Sequence, residues 1–263
     1  MSATLVEVLR KTQVDAQIQR IEARLVREGS MVPPAVVHEW VESAWSRFSR
    51  ARVQAFVPLL VERTVRSWLA ACPAGRLRDW ARDTAERMLA TELPVRWAHT
   101  QGVAGRAEEV AWLFPAEDRE MLIAAAWLHD IGYASQLMET GLHQLDGARF
   151  LTRQGLPARV CALVAQHSGA AAVAALVGLS DELAAFEDER SPVRDALWYS
   201  DMTIGPEGRP LSFAERLAEL RGRREPGDPV ILALHYNGDE RAAAVRRTEA
   251  LLEARTRLPI AGH

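Results

Sequence analysis

The sequence predicts an all-α fold. Three observations carry that reading. Apolar residues recur at helical spacing along most of the chain, prolines and glycines fall between those stretches, and strand-like alternation is rare. Ile18, Ile21 and Leu25 mark one face of a first helix, which Gly29 can end. Pro33-Pro34 opens a second helix through Val37, Val41, Ala44 and Phe48. Pro58 suits the first turn of a third, through Leu60, Val65 and Leu69, because a proline there removes no intrahelical bond. Cys72-Pro-Ala-Gly75 is a break, so residues 10–71 form a small N-terminal bundle. Beyond it the spacing predicts one helix over 79–93, a second from Pro94 through His99, Val103 and Val110, and a third over 117–131. Shorter helices are expected over 142–153, 157–167 and 192–203, followed by 212–223 and 229–257. Asn237-Gly238, a hairpin signal in other settings, lies inside this helical tail. Two domains are expected, 1–74 and 75–263.

Composition narrows the function classes. Of 263 residues, 48% are hydrophobic and 25% charged, enough for a core and unlike a disordered chain. The formal net charge is -3, so no global basic field recruits long nucleic acid or an anionic membrane. Lys11 is the only lysine, and the arginine excess is not in itself a sign of phosphate binding. Cys72 and Cys161 lie far apart, which argues against a disulfide scaffold or a cysteine-rich zinc site and fits a reducing cytoplasm. The N-terminus shows no apolar signal-peptide core. The longest apolar run, Ala170 to Leu179, is half the ~20 residues of a membrane-spanning helix. GxxxxGK[ST], GxGxxG and GxSxG are missing, so nucleotide-cradle and serine-hydrolase chemistry has no support.

The decisive segment is Ala124-Ala-Ala-Trp-Leu-His-Asp-Ile-Gly-Tyr133. It sets His129 and Asp130 inside an apolar helical run, with Gly132 just beyond leaving room for a ligand. An ionised carboxylate enclosed by hydrocarbon needs a cation or donors beside it. A divalent metal meets that need, and imidazole with carboxylate is a common ligand mix for first-row metals. A buried His-Asp hydrogen bond is the plainer explanation of the dipeptide alone. Two further residues change the balance. His99 lies on the preceding helix, in Trp97-Ala-His-Thr-Gln-Gly-Val-Ala-Gly-Arg106, and Asp201 lies in Trp198-Tyr-Ser-Asp-Met-Thr-Ile-Gly205, again within an apolar stretch.

The order His, His-Asp, Asp, with each member on its own helix, resembles the HD phosphohydrolase superfamily over roughly residues 90–255. The resemblance implies a metal site made by His99, His129, Asp130 and Asp201 within a helical bundle. His143, in His-Gln-Leu-Asp-Gly-Ala-Arg149, and His167, at the end of Val160-Cys-Ala-Leu-Val-Ala-Gln-His, occupy places like the extra histidines of two-metal subfamilies. Bacterial HD-type dinucleoside tetraphosphate hydrolases share that arrangement, and by analogy Asp130 would bridge two ions. A role for His143 or His167 in phosphate contact or proton transfer, and a helix-capping role, stand beside the second-metal reading. The implied cofactor is one or two divalent ions, with Mn, Fe, Ni, Co, Zn and Mg all admissible and Fe or Mn favoured.

The implied reaction is attack of metal-activated water on a small phosphoester or nucleotide, with Asp130, His143, His167 and Arg106 as the catalytic candidates. Arg106 stands seven residues after His99 and near the same helical face, and Arg149 follows His143; either suits a phosphate clamp or a surface ion pair. Asp146 is read as a helix cap in preference to a support for His143. Trp127, Tyr133, Trp198 and Tyr199 lie beside the ligands and could stack on a base, although core packing explains them as well. His38 is expected at the surface, His235 in a core or wall, and His263 at the terminus. Residues 10–71 resemble a small bacterial dimerisation module, implying a homodimer; the alternative is a brace on the second domain. Two other functions remain open: a regulatory nucleotide-binding protein without turnover, and a di-iron oxygenase of the HD fold.

Overall fold

The structure is a computed structural model that describes residues 16–27, 32, 34–48, 56–70 and 76–256. Among them the chain is all-α, and its only extended pairing is an isolated antiparallel bridge between Ile204 and Pro210. The helices are α1 (16–27), α2 (Pro34–Phe48), α3 (Val57–Ala70), α4 (Arg76–Leu89), α5 (Pro94–Ala111), α6 (Ala116–Leu128), α7 (His143–Arg153), α8 (Ala158–Ala165), α9 (Ala170–Val177), α10 (Ser180–Leu183), α11 (Pro192–Met202), α12 (Phe213–Arg223) and α13 (Pro229–Thr256). Short 3-10 turns cover Ile131–Tyr133, Ser135–Leu137 and His167–Gly169.

Two compact units divide the chain: Met1–Leu77 with Gln154–Pro157, and Arg78–Arg153 with Ala158–His263. In the first, the helical stripe read from the sequence is buried: Ile18, Ile21 and Leu25 of α1, Val37, Val41 and Ala44 of α2, and Val57, Val61 and Val65 of α3. Leu60 and Leu69 are only partly buried, so the inward face of α3 is its valine stripe. Gly29 and Cys72 lie outside the described residues. In the second unit α5, α6 and α11 pack on one another, α8 lies against α6, and α13 runs along α9 and α11. Small residues recur among their buried positions, including Ala104, Ala107, Ala124, Ala125 and Ala196, all fully buried. Small side chains let helix axes approach closely, which brings polar groups on three helices within reach of one another.

Caps and breaks set the boundaries. Ser191 accepts from the Val193 and Arg194 backbone N–H groups, with Pro192 opening α11. Ser212 and Glu215 form a reciprocal capping box on α12. The expected helix over 157–167 stops at Ala165 because Ser168 adopts a left-handed φ of 47°. One segment, Ala158–Val177, is long and apolar enough to cross a membrane, but 67% of it is buried and this turn breaks it. The expected helix over 117–131 ends at Leu128, so His129 and Asp130 stand at the end of α6 and not within a continuing helix.

Buried Arg194 locks α11 to its neighbours. Its guanidinium bonds Asp188 at 2.9 and 3.0 Å, Asp195 at 3.1 Å and Glu240 of α13 at 2.9 Å, and lies 3.6 Å over the Trp198 ring. Four interactions on one buried cation fix the rotation of the helix that carries Asp201.

Gly132 serves packing, not ligand access. A Cβ there would meet the His143 carbonyl oxygen at 1.9 Å and the Gly147 nitrogen at 2.7 Å, so the turn after Asp130 sits directly on the first turns of α7. The space read as room for a ligand is filled by backbone. Because the obstacle is main chain, Gly132→Ala is expected to cost more than the ~1–3 kcal/mol of ordinary overpacking. The check is the urea unfolding midpoint, and an unchanged midpoint would contradict this contact.

Candidate metal centre

His99 comes from α5, His129 and Asp130 from the end of α6, and His143 from the first residue of α7. His167 comes from the turn after α8 and Asp201 from the last turn of α11. All six side chains converge. The imidazole and carboxylate atoms of His99, His129 and Asp201 lie within 4.8 Å of one another, and so do those of Asp130, His143 and His167. Asp130 joins the two groups. Its Oδ2 is 3.3 Å from His129 Nε2 and 3.9 Å from His99 Nε2, while its Oδ1 is 3.3 Å from His143 Nε2 and 3.8 Å from His167 Nε2. One oxygen faces each group, the disposition that a bridging carboxylate requires.

The rings are pre-oriented by the backbone. Nδ1 of His99 donates to the Gly205 carbonyl at 3.0 Å, that of His129 to Ala126 at 2.7 Å, and that of His167 to Val164 at 2.7 Å. Each bond fixes the tautomer that leaves the Nε2 lone pair pointing inward, the usual outer support of a metal-bound histidine. Close backbone approach makes the His99 contact. A Cβ on Gly102 of α5 would lie 2.6 Å from the Gly208 carbonyl, and Gly208 itself (φ 74°) would meet the Ala98 carbonyl at 2.4 Å. Only glycines let the 205–210 loop lie this close to α5.

The inward atoms fit a cation. His99 Nε2 faces Asp201 Oδ1 at 3.0 Å, and with its proton on Nδ1 the neutral ring would set lone pair against carboxylate. A cation between the two atoms would relieve that repulsion. His129 Nε2 is buried and has no hydrogen-bond partner. His143 Nε2 and His167 Nε2 face each other at 3.3 Å, two ring nitrogens aimed at one place. Three of the rings are held neutral, as ligation needs. Burial lowers His99 and His143, and burial together with the neighbouring His129 and His143 takes His167 down to about 3. His129 goes the other way: burial opposes its charge, but adjacent Asp130 outweighs that and raises it. Both carboxyls are held well below the ordinary range against the cost of burial, Asp130 by Arg96 and His129, Asp201 by His99. The residues therefore suit one or two divalent ions with mixed nitrogen and oxygen ligands.

Several site residues escape the sequence reading. Arg96 donates to Asp130 Oδ2 at 2.8 Å and lies 4.0 Å over the Tyr133 ring, which in turn stacks on His143. Its signal was its place three residues before His99, on the same helical face. The Ser168 hydroxyl donates to Asp201 Oδ2 from its left-handed turn. Arg216, Arg223, Arg224 and Arg241 line the same cleft, contributed by α12, the residue after it, and α13. The arginine excess thus has a local meaning that composition hid.

Other candidates are placed elsewhere. Arg106 does not line the cleft; it pairs with Glu109 at 2.8 Å and lies 5.9 Å from the Tyr199 ring centre. The seven-residue spacing put it on roughly the right helical face but two turns too far along. Arg149 is partly buried and also outside the cleft lining. Asp146 accepts from the Glu139, Thr140 and Gly141 backbone N–H groups and the Thr140 hydroxyl, tying down the loop before α7 and leaving the His143 ring alone. Of the four aromatic residues, only Tyr133 lines the cleft. Trp127 packs on Trp97, and the Trp198 indole donates to the Gln166 carbonyl. His38 is exposed beside Glu22; His235 is exposed rather than a wall residue; His263 lies outside the described residues. Buried Cys161, its thiol pushed up by burial, lines none of this.

Residues 96–220 match the HD domain family model, which supports placing this segment in the HD superfamily. The matched span contains all six converging side chains. Neither the curated proteins nor the solved structures compared with the chain give a match.

The protonation pattern makes the metal-free chain acid-sensitive. His99, His143 and His167 accept protons at an ordinary pKa near 6.5 when unfolded but resist them when folded, so stability falls as pH drops from about 6.5 toward about 3. His129 acts oppositely: its contribution is complete below about 6.5 and fades as pH rises through its raised folded value. With three rings against one, the urea midpoint of metal-free protein is expected to fall between about pH 7 and pH 5, and His167→Gln to weaken that slope. A midpoint that is flat or rising over this interval would rule out buried neutral rings.

Proposed function

We propose that this protein is a metal-dependent phosphohydrolase acting on a small phosphoester, nucleotides included. The supporting observation is the Asp130 carboxylate, with one oxygen toward each of two His-containing groups. His99, His129, Asp130 and Asp201 would hold one ion, and Asp130, His143 and His167 a second. When bound, the ions supply Lewis acidity toward phosphoryl oxygens and a water acidic enough to react near neutral pH.

The chain's own residues have separable parts. Arg96 holds Asp130 in the orientation that serves both groups, and Ser168 does the same for Asp201. Tyr133, stacked on His143, limits rotation of that ring and keeps one wall dry. The guanidinium group of Arg96 lines the cleft beside Asp130, where phosphoryl charge would develop, and a planar multi-donor group suits phosphate oxygens. The partial match to the HD domain family supports the same reading. Residues 1–74 are read as a separate module that brings two chains together.

The first test is metal analysis of the purified chain, followed by phosphate release from a panel of nucleotides and simple phosphoesters with added Mn, Fe, Ni, Co, Zn or Mg. Asp130→Ala is expected to abolish both metal content and turnover. Turnover surviving that change would reject the proposal. Oxygen uptake in place of phosphate release would transfer the site to oxidative chemistry, and nucleotide binding without hydrolysis under every metal would make it a regulatory site. Separately, Arg96→Met is expected to weaken metal affinity about 10–100-fold, the usual cost of losing a partner behind a ligand. Unchanged affinity in that variant would remove Arg96 from its orienting role.

A further inference from the structure

The cleft holds more guanidinium charge than ligand support requires. Arg96 is matched by Asp130, and Arg224 by Asp228 at 2.6 Å. Arg216 and Arg223 share Glu219, at 2.5 and 2.8 Å, and Arg216 also lies 3.7 Å from Asp201. Arg241 is different. It is 3% exposed, no carboxylate among the described residues lies within 4.0 Å of it, and Asp201 acts on it only from beyond that distance. Its hydrogen bond to the Met202 sulfur, at 3.7 Å, is a weak one, and its buried Nε has no partner. Burial drags its pKa down to about 10, which still leaves it charged at neutral pH. An enclosed cation without a contacting counter-ion is costly, and this one lines a cleft that opens on the metal centre.

We propose that Arg241, together with Arg216, Arg223 and Arg224, forms a second anion subsite that takes a non-scissile phosphate group of the substrate. This rests on the hydrolase reading for where the scissile phosphate goes: that group faces the six ligands. The substrate class is then a small molecule carrying two phosphates. Several guanidinium groups converging from α12 and α13 suit a tetrahedral dianion with three free oxygens better than a planar carboxylate. An adjoining cavity of about 300 Å³ shares Arg96, Arg216 and Arg223 and is walled by Leu93, Pro94, Val95 and Pro206. No Phe, Tyr or Trp ring lines it, and its one imidazole, His99, is tied into the metal-centre cluster, so the organic part it accommodates is aliphatic in character and not a stacked base.

The test separates the subsite from the chemistry. The metal-free full chain is titrated calorimetrically with inorganic phosphate and, in parallel, with acetate. Wild type is expected to bind phosphate more tightly than acetate, and Arg241→Met to weaken phosphate at least about 10-fold. Because Arg241 is buried, Arg223→Gln, at a more exposed member of the same cage, provides a second reading and is expected to weaken phosphate several-fold. Metal-loaded enzyme then compares glycerol monophosphate with glycerol bisphosphate. The bisphosphate is expected to have the lower KM, with the advantage lost in Arg241→Met. No phosphate binding by wild type, binding in both variants equal to wild type, acetate as tight as phosphate, or equal KM values for the two esters would each overturn the subsite. Phosphate bound through Arg241 with no ester turned over would sink the hydrolase reading and leave the subsite standing.

Discussion

The second unit is organised around a single awkward group, the Asp130 carboxylate, which is 3% exposed and ionised. Removing such a charge from water costs several kcal/mol unless cations and donors surround it. Helices α5, α6, α7 and α8 all end or begin where they can contribute to that surround. His99 and Arg96 come from one helix, His129 from the residue beside it, and His143 and His167 from two others. The close backbone approaches at Gly102, Gly132 and Gly208 are what such convergence demands, because side chains as short as histidine and aspartate can meet only if their helices come nearly into contact. Packing and polar chemistry are here one constraint.

The same constraint explains why polar groups in the site are supported twice. The inward nitrogens of His99, His129 and His167 are set by outward bonds to backbone carbonyls, which no side-chain substitution elsewhere can easily alter. The two acids are held by Arg96 and Ser168, residues outside the ligand set. Arg194 then fixes α11 from the far side, so Asp201 is placed by a buried ion network as well as by helix packing. A ligand set oriented in this way loses little conformational freedom when a cation arrives.

Guanidinium groups give the cleft its second character. Five of them line it, and among the described residues no acid touches Arg241. In a chain of net charge -3, this is a local concentration of positive charge that the global sum conceals. A small polyanion entering here would meet the arginines and the ligand groups together.

The sequence by itself determined the all-α class and most helix positions, and it set His129-Asp130 and Asp201 apart from their surroundings. Those properties depend on local periodicity and on the cost of polar side chains in apolar stretches, and both can be read along a line of residues. His129-Asp130 and Asp201 stood out because they interrupt apolar stretches, whereas His99, His143 and His167 joined them through the resemblance to the HD superfamily. Only the tertiary structure decided which arginines matter. Arg106 and Arg149 lay close to the ligands in sequence, but Arg96, Arg216, Arg223, Arg224 and Arg241 are close in space, four of them through α12, α13 and the residue between. It also decided that the space beside Gly132 belongs to α7. An exposed and a cleft-facing arginine look alike in sequence, because a long flexible side chain follows no periodic rule, and its partners are set by how distant helices cross.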